Sequence, residues 1–165
     1  MKTLFRTLIM LALAAWLGAL FFFPFLAQIA FSRESDRQTA GAIVAASLAA
    51  LHRVGMICGL LILMLLVVGQ LRRTFRRTPY PAMALLLAML AITAASQSWI
   101  MPRMESYRIA AGGSISLAPA SDPKRVAFEK LHRVSVDMEA AVMLSGMLLA
   151  VALAWLGGDA DRRTT

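Results

Sequence analysis

The sequence predicts an all-α polytopic membrane protein, an antiparallel bundle of four transmembrane helices made of two similar helical hairpins. Three observations carry that expectation. The 165-residue chain is 59% hydrophobic with a mean hydropathy of +0.70, above the roughly 45–50% apolar usage of soluble domains. Its apolar residues gather in four runs, Thr7 to Phe31, Gly41 to Gln70, Ala82 to Met101 and Ala140 to Leu156. Each run has the ~17 or more residues that carry a helix across a hydrocarbon core of ~30 Å. Finally, the string Leu-His-Arg-Val occurs twice, as Leu51–Val54 and Leu131–Val134. In lipid every backbone donor and acceptor must pair within its own segment, so the runs are expected as helices, not strands.

The first element is expected near residues 5–31. Lys2 and Arg6 precede it as they would a secretory signal, but the run carries Trp16, Pro24 and several phenylalanines. A signal's apolar region is usually about 7–15 residues, so a retained membrane helix fits better. The second helix is expected near 39–71, a proline-free stretch of roughly 48 Å at 1.5 Å per residue. That exceeds the hydrocarbon thickness, so it must tilt or extend into water. The third is expected near 81–109. Ala111 to Ser121, rich in Gly, Ser and Ala, reads as a loop. Asp122-Pro123 suits the start of a fourth helix near 123–157, with Asp as cap and Pro in the first turn. Its first turns are polar, with Glu129, Arg133 and Asp137 at helical spacing, so they should stand outside the bilayer. Residues 1–158 then form one transmembrane domain, and 159–165 a short polar tail.

The formal charge of +8 does not indicate nucleic acid, because the basic residues flank the apolar runs. There Lys and Arg set orientation and meet anionic lipid. The expected partners are the bilayer and, for a bundle this narrow, further copies of the chain. Arg72, Arg73, Arg76 and Arg77 crowd one short connection without an acid among them, which places that connection and both termini in the cytoplasm. Cys58 is the only cysteine, so no intrachain disulfide can form.

Besides the shared string, Pro24 and Pro102 sit near the ends of the first and third runs, so two landmarks recur at shifts of 78 and 80 residues. A duplicated hairpin would put His52 and His132, the only histidines, at equal depth, with both facing inward. They are then candidate ligands for haem or a metal ion. Arg53, Glu139, Gln97 and Ser135 would be the groups that orient or neutralise them. Glu139 lies at the mouth of the fourth run, where a carboxylate requires a partner, and Arg53 is the expected one. Met101 and Met104 offer soft sulfur ligands for copper(I), although methionine in an apolar chain more often fills gaps. The same polar residues serve equally as interhelical hydrogen bonds that fix packing. No phosphate loop, nucleophile elbow or paired-cysteine site is present.

The run Trp99-Ile100-Met101-Pro102-Arg103 closes the third helix; a polar loop then leads to Asp122-Pro123-Lys124 and a fourth helix bearing His132. With His52 on the second helix, this layout resembles the uncharacterised four-helix membrane proteins related to eukaryotic transmembrane protein 205. The likeness spans nearly the whole chain and is nearest to the bacterial branch. It implies a bacterial inner-membrane location and marks Trp99, Pro102, Arg103, His52 and His132 as motif positions. It implies no mechanism. More distantly, the layout is similar to small copper-resistance and haem-carrying membrane proteins.

Three functions follow as expectations. The first is cofactor or metal binding by paired histidines at the non-cytoplasmic end. The second is a small transporter or permease component acting as an oligomer. The third is a membrane scaffold that docks a partner. Whether the chain is an enzyme is not decided by any motif.

Overall fold

A computed structural model describes residues 2–75, 78–113 and 115–157. Its elements are α1 (Lys2–Arg33), α2 (Arg37–Leu71), α3 (Tyr80–Ala95), a π-helical turn (Ser96–Ile100), α4 (Met101–Ala110), a 3₁₀ turn (Ile115–Leu117) and α5 (Pro123–Gly157). No strand occurs among the described residues. Four rods, α1, α2, α3 continued through α4, and α5, are long and apolar enough to cross a membrane. The helices begin or end one to three residues beyond several of the boundaries expected from sequence. Arg76, Arg77 and the expected tail at 159–165 lie outside the described residues.

Neighbours pack in a ring, α1 on α2, α2 on α3, α3 on α5 and α5 on α1, while α4 packs on α5. All four rods contribute to the core. Ile9, Leu13, Trp16 and Leu20 come from α1, and Leu51, Ile62 and Leu66 from α2. Leu86, Met89 and Leu90 come from α3, and Val142, Leu149 and Leu153 from α5. Large apolar side chains also cover the outside, among them Phe22, Ile57, Leu60, Leu148 and Val151. Helices apolar on every side belong in lipid. Close approach is made by glycine: Trp16, only 1% exposed, lies across Gly55 and Gly59.

The connections are built from local chemistry. Asp36 caps α2 by accepting from the Gln38 and Thr39 amides and, at 2.6 Å, from the Thr39 hydroxyl. Those donors, the hydroxyl foremost, hold the Asp36 carboxyl below the usual carboxylate range. At its other end α2 closes in a Schellman motif. Thr74 N–H donates to Gly69 O and Arg73 N–H to Gln70 O. Arg73 takes the left-handed position (φ 49°) that glycine usually fills, at a cost of about 1–2 kcal/mol for a side chain bearing Cβ. Phe75 then folds back onto Gly69.

The third rod does not end at Pro102. Proline lacks an N–H, and its ring presses on the carbonyl four residues earlier, here Ser98. The rod absorbs this by widening: Met101 N–H reaches back five residues to Ser96 O, a π-bulge, and α4 continues. Beyond α4, Gly112 and Gly113 turn the chain with positive φ. Basic side chains then tie the loop down through carbonyls, Arg108 to Gly113, Lys124 to Ala110 and Arg125 to Ala118. Glu129 pairs with Arg125 at 2.8 Å, one turn back and not forward to Arg133.

Candidate functional site

Three rods meet at one buried polar junction. His52 on α2 is 2% exposed, and both of its ring nitrogens are engaged. Nδ1–H donates to Gln97 Oε1 on the π-bulge at 2.9 Å. Nε2 faces Glu139 Oε1 on α5 at 2.6 Å, a separation at which two lone pairs repel unless a proton lies between them. That proton can sit on either partner, giving imidazolium beside carboxylate or imidazole beside carboxylic acid. Both forms are neutral overall, which is why a low-dielectric interior tolerates them. The Glu139 side chain keeps 17% exposure, so the pair has one open flank.

The bulge positions Gln97. An extra residue in the turn swings the side chains that follow, and Gln97 is the second residue of that turn. The first, Ser96, is fully buried, and among the described residues its hydroxyl oxygen has no hydrogen-bond partner, an exception to the rule that buried polar groups are paired. Ser135, one turn before Glu139 on α5, is also buried.

The depth of the junction can be read along three helices independently. From Leu71 to His52, from Tyr80 to Gln97 and from Gly157 to Glu139 the rise is about 25–29 Å at 1.5 Å per residue. This is close to one hydrocarbon thickness. Exposed Trp99 lies at the junction's level, with exposed Tyr80 and Trp155 at the opposite boundary, as in the aromatic belts of membrane proteins. The junction therefore sits at the boundary away from the Arg72–Arg73 connection.

Of the residues singled out from sequence, the structure brings His52, Gln97 and Glu139 together. It does not bring His132 to them. His132 is exposed and stacks on Phe128 of its own helix, centroids 6.4 Å apart. It stands two turns before Glu139, so it lies about 10 Å further out than the level of His52. The expectation of two inward histidines at equal depth is corrected, and with it the shared site and the duplication that depended on equal depth. The physical reason is that the outer turns of α5 pack on α4 and the 3₁₀ turn, and His132 lies on the face that these leave exposed.

Arg53 is exposed and does not pair with Glu139; one residue along a helix is a turn of 100°, and His52 holds the inward position instead. Met101 and Met104 are half-buried at the start of α4, and Pro102 and Arg103 are exposed there. Among the described residues no three His, Cys, Asp or Glu side chains converge as metal ligands. Sequence reasoning missed Ser96 and Trp16. The signal for Ser96 was Pro102, whose missing donor dictates an irregular turn just before it. For Trp16 it was the Gly55–Gly59 spacing, which lets a neighbouring helix approach closely.

Residues 11–112 match the family model described as a domain of unknown function, DUF4149. No curated protein and no solved structure matches the chain.

Proposed function

The chain belongs to the DUF4149 family, whose description supplies no activity, so we propose a role from geometry: a proton-responsive membrane component of the transporter class. One observation carries the reading. The 2.6 Å contact between His52 and Glu139 joins the first hairpin to the second and holds a single transferable proton. Ionisable residues inside membrane bundles mark proton relays and substrate paths. Adding or removing that proton leaves the junction charged, and a charged junction favours wetting through the open flank of Glu139. Separation of the two hairpins is the movement this drives. Four helices leave little room for a pathway, so the working unit in this proposal is a homo-oligomer.

The paired-histidine cofactor reading receives less support, because His52 would have to give up Gln97 or Glu139 to ligate anything. We also retain as proposals the kinship with transmembrane protein 205, the bacterial inner-membrane location and the cytoplasmic termini. The motif around Trp99 and Pro102 supports the kinship, and the arginine-rich connection supports the orientation.

The test measures movement between hairpins. Spin labels at Ser35→Cys and Ala120→Cys, in a Cys58→Ser background in nanodiscs, report the separation of the two outer connections. The separation should change reversibly with pH in the parent and stay fixed in His52→Gln and Glu139→Gln. A separation independent of pH in the parent, or one unaffected by both substitutions, would overturn the reading.

A further inference from the structure

At the end opposite the junction a shallow cleft opens between α1, α5 and the α2–α3 connection. Ile9, Met10, Phe75, Leu153 and Leu156 wall it, and Arg6 stands at its mouth. The walls are apolar and the mouth is cationic, an amphipathic pairing. Every described Asp and Glu lies at or beyond the level of the junction, so Arg6 has no carboxylate near it among the described residues. Arg72 and Arg73 are exposed on the connection that delivers Phe75 to the wall.

A second observation is independent of the cleft. Arg73 occupies the left-handed position of the Schellman motif, where glycine would relieve strain. A cation held at a strained position, where the best residue for folding is uncharged, indicates a task for the charge.

We propose that this cleft binds an anionic phospholipid, with an acyl chain along Phe75 and Leu153 and the headgroup phosphate held by Arg6 and Arg73. Basic pockets between membrane helices take such headgroups, and guanidinium groups suit phosphate oxygens. The source is the bilayer: the cleft opens beside the hydrocarbon boundary marked by Trp155, where a lipid can insert its chain and a free phosphate has no use for the apolar walls.

Native mass spectrometry of the purified full chain, titrated with phosphatidylglycerol or phosphatidylcholine, tests this. Phosphatidylglycerol should be retained preferentially, and Arg6→Gln and Arg73→Gly should each weaken its binding by about fivefold, the contribution of one basic residue near an anionic surface. Met10→Trp, which narrows the cleft without removing charge, should weaken it as well, while Arg133→Gln at the far end should not. Inorganic phosphate should fail to displace the lipid. Arg73→Gly adds a control for misfolding, since relief of the left-handed strain should leave thermal stability in phosphatidylcholine equal or higher. No preference for phosphatidylglycerol, equal loss in Arg133→Gln, an unaffected Met10→Trp or displacement by phosphate would each refute the site.

Discussion

Replacing Gly55 by alanine puts a methyl carbon 2.5 Å from Trp16 Nε1 and 2.8 Å from its Cε2. Ordinary carbon contacts lie at about 3.5–4.0 Å, so α1 and α2 must separate by roughly 1 Å or the indole must turn. Turning is restricted, because the ring also packs closely on Gly59 and is almost completely buried. Overpacking of this kind costs about 1–3 kcal/mol. Alanine's better helix propensity, about 1 kcal/mol in water, offsets little here. Membrane helices persist when the bundle dissociates, so the propensity gain is shared by both states. The expected loss is therefore about 1–3 kcal/mol, measured by titrating the protein from mild detergent into dodecyl sulfate. Gly18→Ala is the control, since nothing lies within 4 Å of its added carbon, and it should be near neutral. The double substitution Gly55→Ala with Trp16→Leu should recover most of the packing loss relative to Trp16→Leu alone. Equal stability of Gly55→Ala and Gly18→Ala would refute the account of close approach.

A double-mutant cycle between His52→Ala and Glu139→Gln should give a coupling of about 0.6–2 kcal/mol, the range of hydrogen bonds between membrane helices; additive effects would show that the contact does not form. Pro102→Ala restores the missing N–H, so the π-bulge should relax toward regular helix and withdraw Gln97. Nitrogen-15 spectra of His52 should then show an altered Nδ1 environment, and an unchanged ring signal would count against the proline as the cause. Acid should loosen the start of α2. The Asp36 carboxyl is held below its unfolded value, so its cap is complete above about pH 4 and is lost as pH falls through the lower folded value. Amide exchange at Gln38 and Thr39 should quicken in that window in the parent and already be fast at neutral pH in Asp36→Ala.

Much of the fold could be read from sequence because lipid imposes few options. Long apolar runs must be helices, and charged or proline-rich stretches must be the connections. Gln97 and Glu139 were also legible, since polar groups at the mouth of an apolar run require partners. The choice between His52 and Arg53 was not. Adjacent residues on a helix differ by 100° in direction, and periodicity fails to fix the inward face when a helix is apolar all round. The symmetry between the two Leu-His-Arg-Val strings misled for a related reason. Identical residues acquire different burial when one helix is flanked at that height and the other is not. The third helix was expected to run through Pro102, near 81–109, and it does; the π-bulge stayed hidden, because a proline signals an interrupted ladder without saying how the chain absorbs it.

The two hairpins differ in apolar reach. Along α1 and α2 the runs Thr7 to Phe31 and Gly41 to Gln70 extend about 36–44 Å, whereas Ala82 to Met101 and Ala140 to Leu156 extend about 24–29 Å. Exposed Phe21, Phe22, Phe25, Ile29 and Phe31 carry the longer belt past the level where α4 and α5 turn polar. A flat bilayer of one thickness cannot match both. Each ångström of mismatch costs a fraction of a kcal/mol, so the first hairpin favours thick bilayers and the second thin ones. Stretching or thickening the membrane thus acts unequally on the two hairpins, which share the contact between His52 and Glu139. A bilayer that suits one hairpin therefore mismatches the other, and their buried polar contact lies between the two.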